Sequence, residues 1–101
     1  MLVILSSATA APGRRDDLVT AAQAMATGTR ADAGCVSYAF AADVEDPDRV
    51  LGIEVWADRA ALDAHMDHDH TRAFLAVAPG LVAGEPVMTF YDVPHEDEAP
   101  A

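Results

Sequence analysis

In residues 2–10 the side chains Leu2, Ile4 and Ser6 alternate with Val3, Leu5 and Ser7, a two-residue period that predicts a strand with two distinct faces. Pro12-Gly13 then marks a turn. Over residues 14–30 the spacing changes: Leu18, Ala21, Ala22, Met25 and Thr29 recur at steps of three and four, which gathers them on one side of a helix. Asp16 and Asp17 stand in its first turn, where the positive end of the helix dipole favours acids, and Gly34 follows its end.

Two-residue alternation returns in residues 35–43, with Val36, Tyr38 and Phe40 set among smaller side chains. It returns again in residues 50–58, where Leu51, Ile53 and Val55 alternate with Val50, Gly52, Glu54 and Trp56. The charged stretch VEDPDR between them predicts a hairpin connection. Asp58 is placed to cap a helix carrying Ala61, Leu62, His65 and Met66, and a second helical piece from about Thr71 runs until Pro79-Gly80 stops it. Residues 86–93 give the last strand, Val87, Thr89, Tyr91 and Val93 against Met88, Phe90 and Asp92.

The element order is therefore β-α-β-β-α-β, which predicts an α+β, ferredoxin-like sandwich: an antiparallel sheet with two helices on one face. Residues 1–94 form the expected domain, and the acidic tail 95–101 is expected to be disordered and solvated. Helices cover only one face of such a sheet, yet both faces of the last two strands are apolar or aromatic. A second copy of the chain is the simplest cover for the other face, so the expected assembly is a homodimer packed sheet to sheet.

Composition narrows the partners. Six basic residues, all Arg, against seventeen acidic ones give a formal net charge of −11, which repels polyphosphates and anionic lipids and excludes nucleic-acid and membrane-surface roles. The single cysteine, Cys35, has no internal disulfide partner and is expected to pack as a small apolar residue. The apolar run at the start is too short for a secretory signal, and no stretch approaches the ~20 apolar residues of a membrane span. These features predict a soluble protein of a reducing compartment, the cytoplasm.

Candidate chemistry concentrates in HMDHDH, residues 65–70, which holds three of the four histidines. Steps of about 100° along a helix from residue 58 place His65 and Met66 beside Leu62 and swing His68 toward solvent. His65 is thus expected at the border of core and pocket, while His70 falls at a break between helical pieces. A metal site would use His65, His68 and Asp69, but the outward direction of His68 and the lack of a fourth ligand count against it, and no metal is expected. Glu54, a charge on an apolar strand, is expected to pair with an Arg such as Arg72, a pocket position with a raised pKa being the alternative.

Residues 34–76 carry Gly34-Cys35 followed by Tyr38, Asp46-Pro47 in the hairpin, Glu54-x-Trp56, Ala61-Leu62, and then His65, His70 and Phe74. This pattern resembles the core signature of the antibiotic biosynthesis monooxygenase family, including its quinol monooxygenase-like members, which are dimeric α+β barrels. The resemblance implies an oxygenase that uses dioxygen without metal or organic cofactor on an electron-rich aromatic substrate such as a quinol or phenol. Triplet dioxygen reacts slowly with closed-shell molecules unless single electrons are donated, and a deprotonated phenol donates them itself. In that reading His65 is the general base, His70 supports it, and Trp56 and Tyr38 orient the ring. Met66, Phe74, Phe90 and Tyr91 contribute apolar walls.

The chain departs from the family in one respect. Members that oxidise polycyclic phenols, and haem-degrading relatives, use an asparagine near the pocket; here those places hold Gly52 and Ser6 or Ser7, and the chain contains no Asn. A non-catalytic dimeric module for a small apolar ligand is the opposing expectation, and a haem-binding relative with His65 or His70 as axial ligand a minor one.

Overall fold

A computed structural model describes residues 1–94; the acidic tail expected at 95–101 lies outside the described residues. Alternating positions form the strands and three- and four-step positions the helices. The order is β1 (Leu2–Ala10), α1 (Arg15–Thr29), β2 (Cys35–Ala42), β3 (Arg49–Trp56), α2 (Arg59–Met66), α3 (Asp69–Val77), a single 3-10 turn (Ala78–Gly80) and β4 (Val82–Asp92). The sheet order is β2-β3-β1-β4, and every neighbouring pair is antiparallel. This is the expected α+β, ferredoxin-like sandwich.

Local signals explain the boundaries. The Asp58 side chain accepts the Ala61 N–H at 2.8 Å and starts α2. Gly34 adopts φ +79, and a Cβ there would collide with Ala61, so the turn after α1 sits directly against α2. The last strand begins earlier than the alternation indicated, at Val82 instead of Pro86. Ser7 pairs with Val87 and Thr9 with Ala83, so three residues, Gly84 to Pro86, stand opposite Ala8 alone. This bulge, with Gly84 at φ +73, places Pro86 on an edge strand where its missing N–H does no harm.

Register assigns the faces. Leu2 pairs with Trp56, Ile4 with Glu54 and with Phe90, and Tyr38 with Glu54, so these side chains share the helix-covered face. There Leu2, Ile4, Trp56 and Tyr38 join Met25, Ala26 and Leu62 in the main core, and Ala10, Leu18, Val50 and Leu81 form a second cluster at the other end. The opposite face presents Val3, Leu5, Ile53, Val55, Val87 and Tyr91, with Leu5, Ile53, Val87 and Tyr91 exposed. No described helix is long and apolar enough to cross a membrane.

Candidate functional site

Between the helix-covered face and the helices lies a cavity of about 590 Å³. Its walls are mainly apolar, with Ile4, Met25, Phe40, Leu75 and Met88 among them. A cavity of this size suits a small organic ligand. Of the residues expected from the sequence, Tyr38, His65, Met66, Phe74 and Phe90 line it; Trp56, His70 and Tyr91 do not. The reasons are geometric. Trp56 is fully buried behind His65, ring centroids 4.7 Å apart, so it supports the wall without forming it. Tyr91 pairs across from Val3 and therefore faces away on the bare side. His70 turns toward Asp32.

Position 52 leaves no room for a side chain in the present wall. A Cβ on Gly52 would collide with the Ser6 hydroxyl and meet the Phe40 ring at 3.5 Å. The cavity wall at this point is closed by Ser6 and Phe40, and a larger side chain would displace Ser6.

Glu54 lines the cavity and makes no ion pair among the described residues. Arg72, its expected partner, instead lies 3.8 Å from Asp67 on the surface. The correction follows from register: residue 54 shares a face with Ile4 and Tyr38, beneath the helices and away from exposed Arg72. Its Oε1 accepts the Trp56 indole N–H at 2.9 Å. Burial raises the Glu54 pKa above its usual range, against the opposing effects of that hydrogen bond and of nearby His65. Tyr38 is pushed the same way, by burial first and then by the charges of Glu54, Cys35 and Asp32, and so holds its phenolic proton.

At the junction of α2 and α3 a second polar group forms around Asp32, a residue of the turn after α1. Asp32 Oδ2 lies 2.8 Å from His65 Nδ1 and 2.9 Å from His70 Nε2. An ionised carboxylate only accepts hydrogen bonds, so those two ring nitrogens are the donors, and Nε2 is the His65 nitrogen not engaged by Asp32. Burial alone would raise the Asp32 pKa, but the hydrogen bonds from His65 and His70 and the nearby charges of His70 and His68 outweigh it and hold the carboxyl below its usual range. Thr71 Oγ1 donates to the His65 carbonyl at 2.6 Å, tying the end of α2 to the start of α3.

His68 is half-exposed, as expected, but one edge of its ring is turned inward. The chain leaves α2 after Met66, and His68 adopts an extended conformation, φ −76 and ψ 151, as the residue preceding α3. That break turns its ring inward, with Nδ1 2.8 Å from Asp32 Oδ1. His70 also packs against the helix backbone: a Cβ on Gly28 would stand 2.7 Å from its ring, so α1 offers a side-chain-free seat. Sequence reasoning missed Asp32 altogether, because it lies 33 residues from His65 on a turn without periodic pattern.

Comparison with known proteins follows the same lines. A family model described as antibiotic biosynthesis monooxygenase matches residues 1–77. The uncharacterized protein sll1783 of Synechocystis sp. is 27% identical over 92 residues, 91% of this chain and 63% of that protein, so this chain spans less than two thirds of the relative's length. Among solved structures, PA3566 from Pseudomonas aeruginosa is 30% identical, with 92% and 94% of the two chains covered and a TM-score of 0.84. Rv0793 from Mycobacterium tuberculosis is 25% identical, with 96% and 98% covered and a TM-score of 0.88. A crystal structure of an antibiotic biosynthesis monooxygenase shares the fold at 24% identity, with 93% and 99% covered and a TM-score of 0.86. With its model matched over residues 1–77 of 101, the antibiotic biosynthesis monooxygenase family is the one to which this chain belongs.

Proposed function

We propose that the chain is a monooxygenase that oxidises a phenolic or quinol-type aromatic with dioxygen, the substrate itself supplying the electrons. The observation that carries this reading is a mainly apolar cavity of about 590 Å³ with Glu54 and His65 in its wall. A planar ring fits among Phe40, Phe74 and Phe90, and two titratable groups within reach of its oxygen are what proton removal and oxyanion holding require.

In this reading His65, oriented by Asp32 through Nδ1, takes the phenolic proton at Nε2. Glu54 stands in the same wall, and in its protonated form, which burial favours, it would donate a hydrogen bond to the developing oxyanion. The phenolate passes an electron to dioxygen, and a carbon–oxygen bond forms on recombination. Loss of water then leaves a quinone: phenol plus dioxygen gives quinone plus water, with all four electrons drawn from the ring. Trp56 is a positioning residue, packed against His65 and bonded to Glu54. The bare sheet face, with Leu5, Ile53, Val87 and Tyr91 exposed, supports the homodimer, since a second copy presents the same apolar surface.

The test is oxygen uptake by purified, metal-free protein with a panel of reduced naphthoquinols and phenols. Uptake above the uncatalysed rate, reduced about 100-fold or more by His65→Ala, is expected. Glu54→Gln, which keeps a donor, is expected to retain more activity than Glu54→Ala. No rate above background across the panel overturns the oxidation and leaves a binding module for an apolar ligand.

A further inference from the structure

We infer that Asp32, His65, His68 and His70 form a binding site for a divalent first-row transition cation of the zinc class. This goes beyond the proposed oxidation and does not depend on it.

The donor set comes first. His65 Nδ1, His68 Nδ1, His70 Nε2 and a carboxylate oxygen of Asp32 all lie within 4.8 Å of one another. Three imidazole nitrogens and one carboxylate oxygen are the ligand types of tetrahedral zinc sites, and unlike an all-oxygen set they do not suit magnesium or calcium. The spacing comes second. Ligand atoms around a tetrahedral ion with bonds of about 2.0–2.1 Å stand roughly 3.3–3.4 Å apart. The three nitrogens lie 2.8, 2.8 and 2.9 Å from the Asp32 oxygens, so an ion entering among them displaces each by about half an ångström, within the reach of side-chain torsions.

The third observation concerns His68. Its Nδ1 is shielded from solvent and lies 2.8 Å from Asp32 Oδ1, yet it makes no hydrogen bond among the described residues. Hydrogen bonds account for His65 and His70 but leave this nitrogen buried and unsatisfied, which is costly for a group that could reach water by a ring rotation. A shielded imidazole nitrogen without a hydrogen bond, within 4.8 Å of three other donor atoms, is one an ion would satisfy.

The site draws its donors from four separate places in the fold. Asp32 comes from the turn after α1, His65 from α2, His68 from the break and His70 from α3. The Thr71 bond to the His65 carbonyl fixes α2 relative to α3, and Gly28 admits the His70 ring against α1. An ion would bridge all three helices at one end. Coordination of His65 through Nδ1 would also put the ring proton on Nε2, the nitrogen that the proposed oxidation uses as a base. Ion and general base are therefore alternative states of one side chain.

The experiment is calorimetric titration of the metal-free full chain with zinc at pH 7.5 in a non-coordinating buffer, followed by cobalt substitution read by visible absorption. Expected are one zinc per chain with a dissociation constant of about 1 μM or tighter, and intense tetrahedral cobalt bands. A thousandfold excess of magnesium should displace neither ion. His68→Ala and His70→Ala should each weaken zinc by about tenfold or more and abolish the cobalt bands. Both side chains are partly solvent-exposed, so their removal leaves the core intact, and far-ultraviolet circular dichroism checks that. Zinc should also raise the melting temperature of the parent chain but not of these variants. Absence of stoichiometric zinc binding overturns the inference, as does binding that survives both substitutions or is lost only on His95→Ala. None of these readouts involves substrate or oxygen, so they stand or fall separately from the proposed oxidation.

Discussion

Glu54 and Asp32 are both carboxylates withdrawn from solvent on the same side of the sheet, and they are driven in opposite directions. Glu54 has one neutral donor, the Trp56 indole, among apolar walls, and its proton is held more tightly than usual. Asp32 has three imidazoles around it and holds its proton less tightly. Depth alone does not decide the state of a buried acid; the number and charge of the donors that reach it do. One region favours the protonated acid in an apolar space, and the other favours the ionised acid among imidazoles.

The contrast can be broken from either side. Asp32→Ala should have the largest effect, a loss of about 2–4 kcal/mol measured by urea unfolding, because His65, 3% exposed at its side chain, cannot exchange the lost acceptor for water. A loss below about 0.5 kcal/mol would show that the imidazoles are satisfied without Asp32. Trp56→Phe comes next, at about 1–2 kcal/mol, from the lost indole donor and the space left at a fully buried site. If Phe were tolerated without change, the Glu54–Trp56 bond would carry no weight.

Glu54→Gln should give the smallest effect, on the order of 1 kcal/mol, and its pH dependence sharpens the comparison. Above the ordinary value of 4.5 the unfolded chain has released the Glu54 proton while the folded chain still holds it. Parent stability therefore falls as pH rises through the raised folded value, and Gln removes that loss. The stability difference should move in favour of Gln from about pH 4.5 upward and then level off. A flat difference over that range would remove desolvation as the governing effect.

The sequence revealed the helix-covered face because a period of two is fixed by backbone geometry: Glu54 falls on the same side as Gly52 and Trp56 whatever surrounds them. Asp58 and Pro79-Gly80 were readable for the same reason, since caps and breakers act locally. The start of β4 was not readable, because Gly84 and Pro86 signal a turn while the edge position tolerates both. The inward turn of the His68 Nδ1 edge was not readable because extrapolating a helix assumes its axis continues, and one extended residue, His68 itself, redirects everything after it. Asp32 could be found only from topology, which brings the turn after α1 against the α2–α3 junction.

The bulge opposite Ala8 has its own consequence. Gly84, Glu85 and Pro86 all line the cavity, yet the flanking pairs Ser7–Val87 and Thr9–Ala83 belong to the ladder on either side. Lengthening or shortening this arc would reshape that part of the wall while the strands beyond it kept their partners. Under the proposed oxidation, substrate choice would be open to change by insertion and deletion here, with Glu54 and His65 left in place.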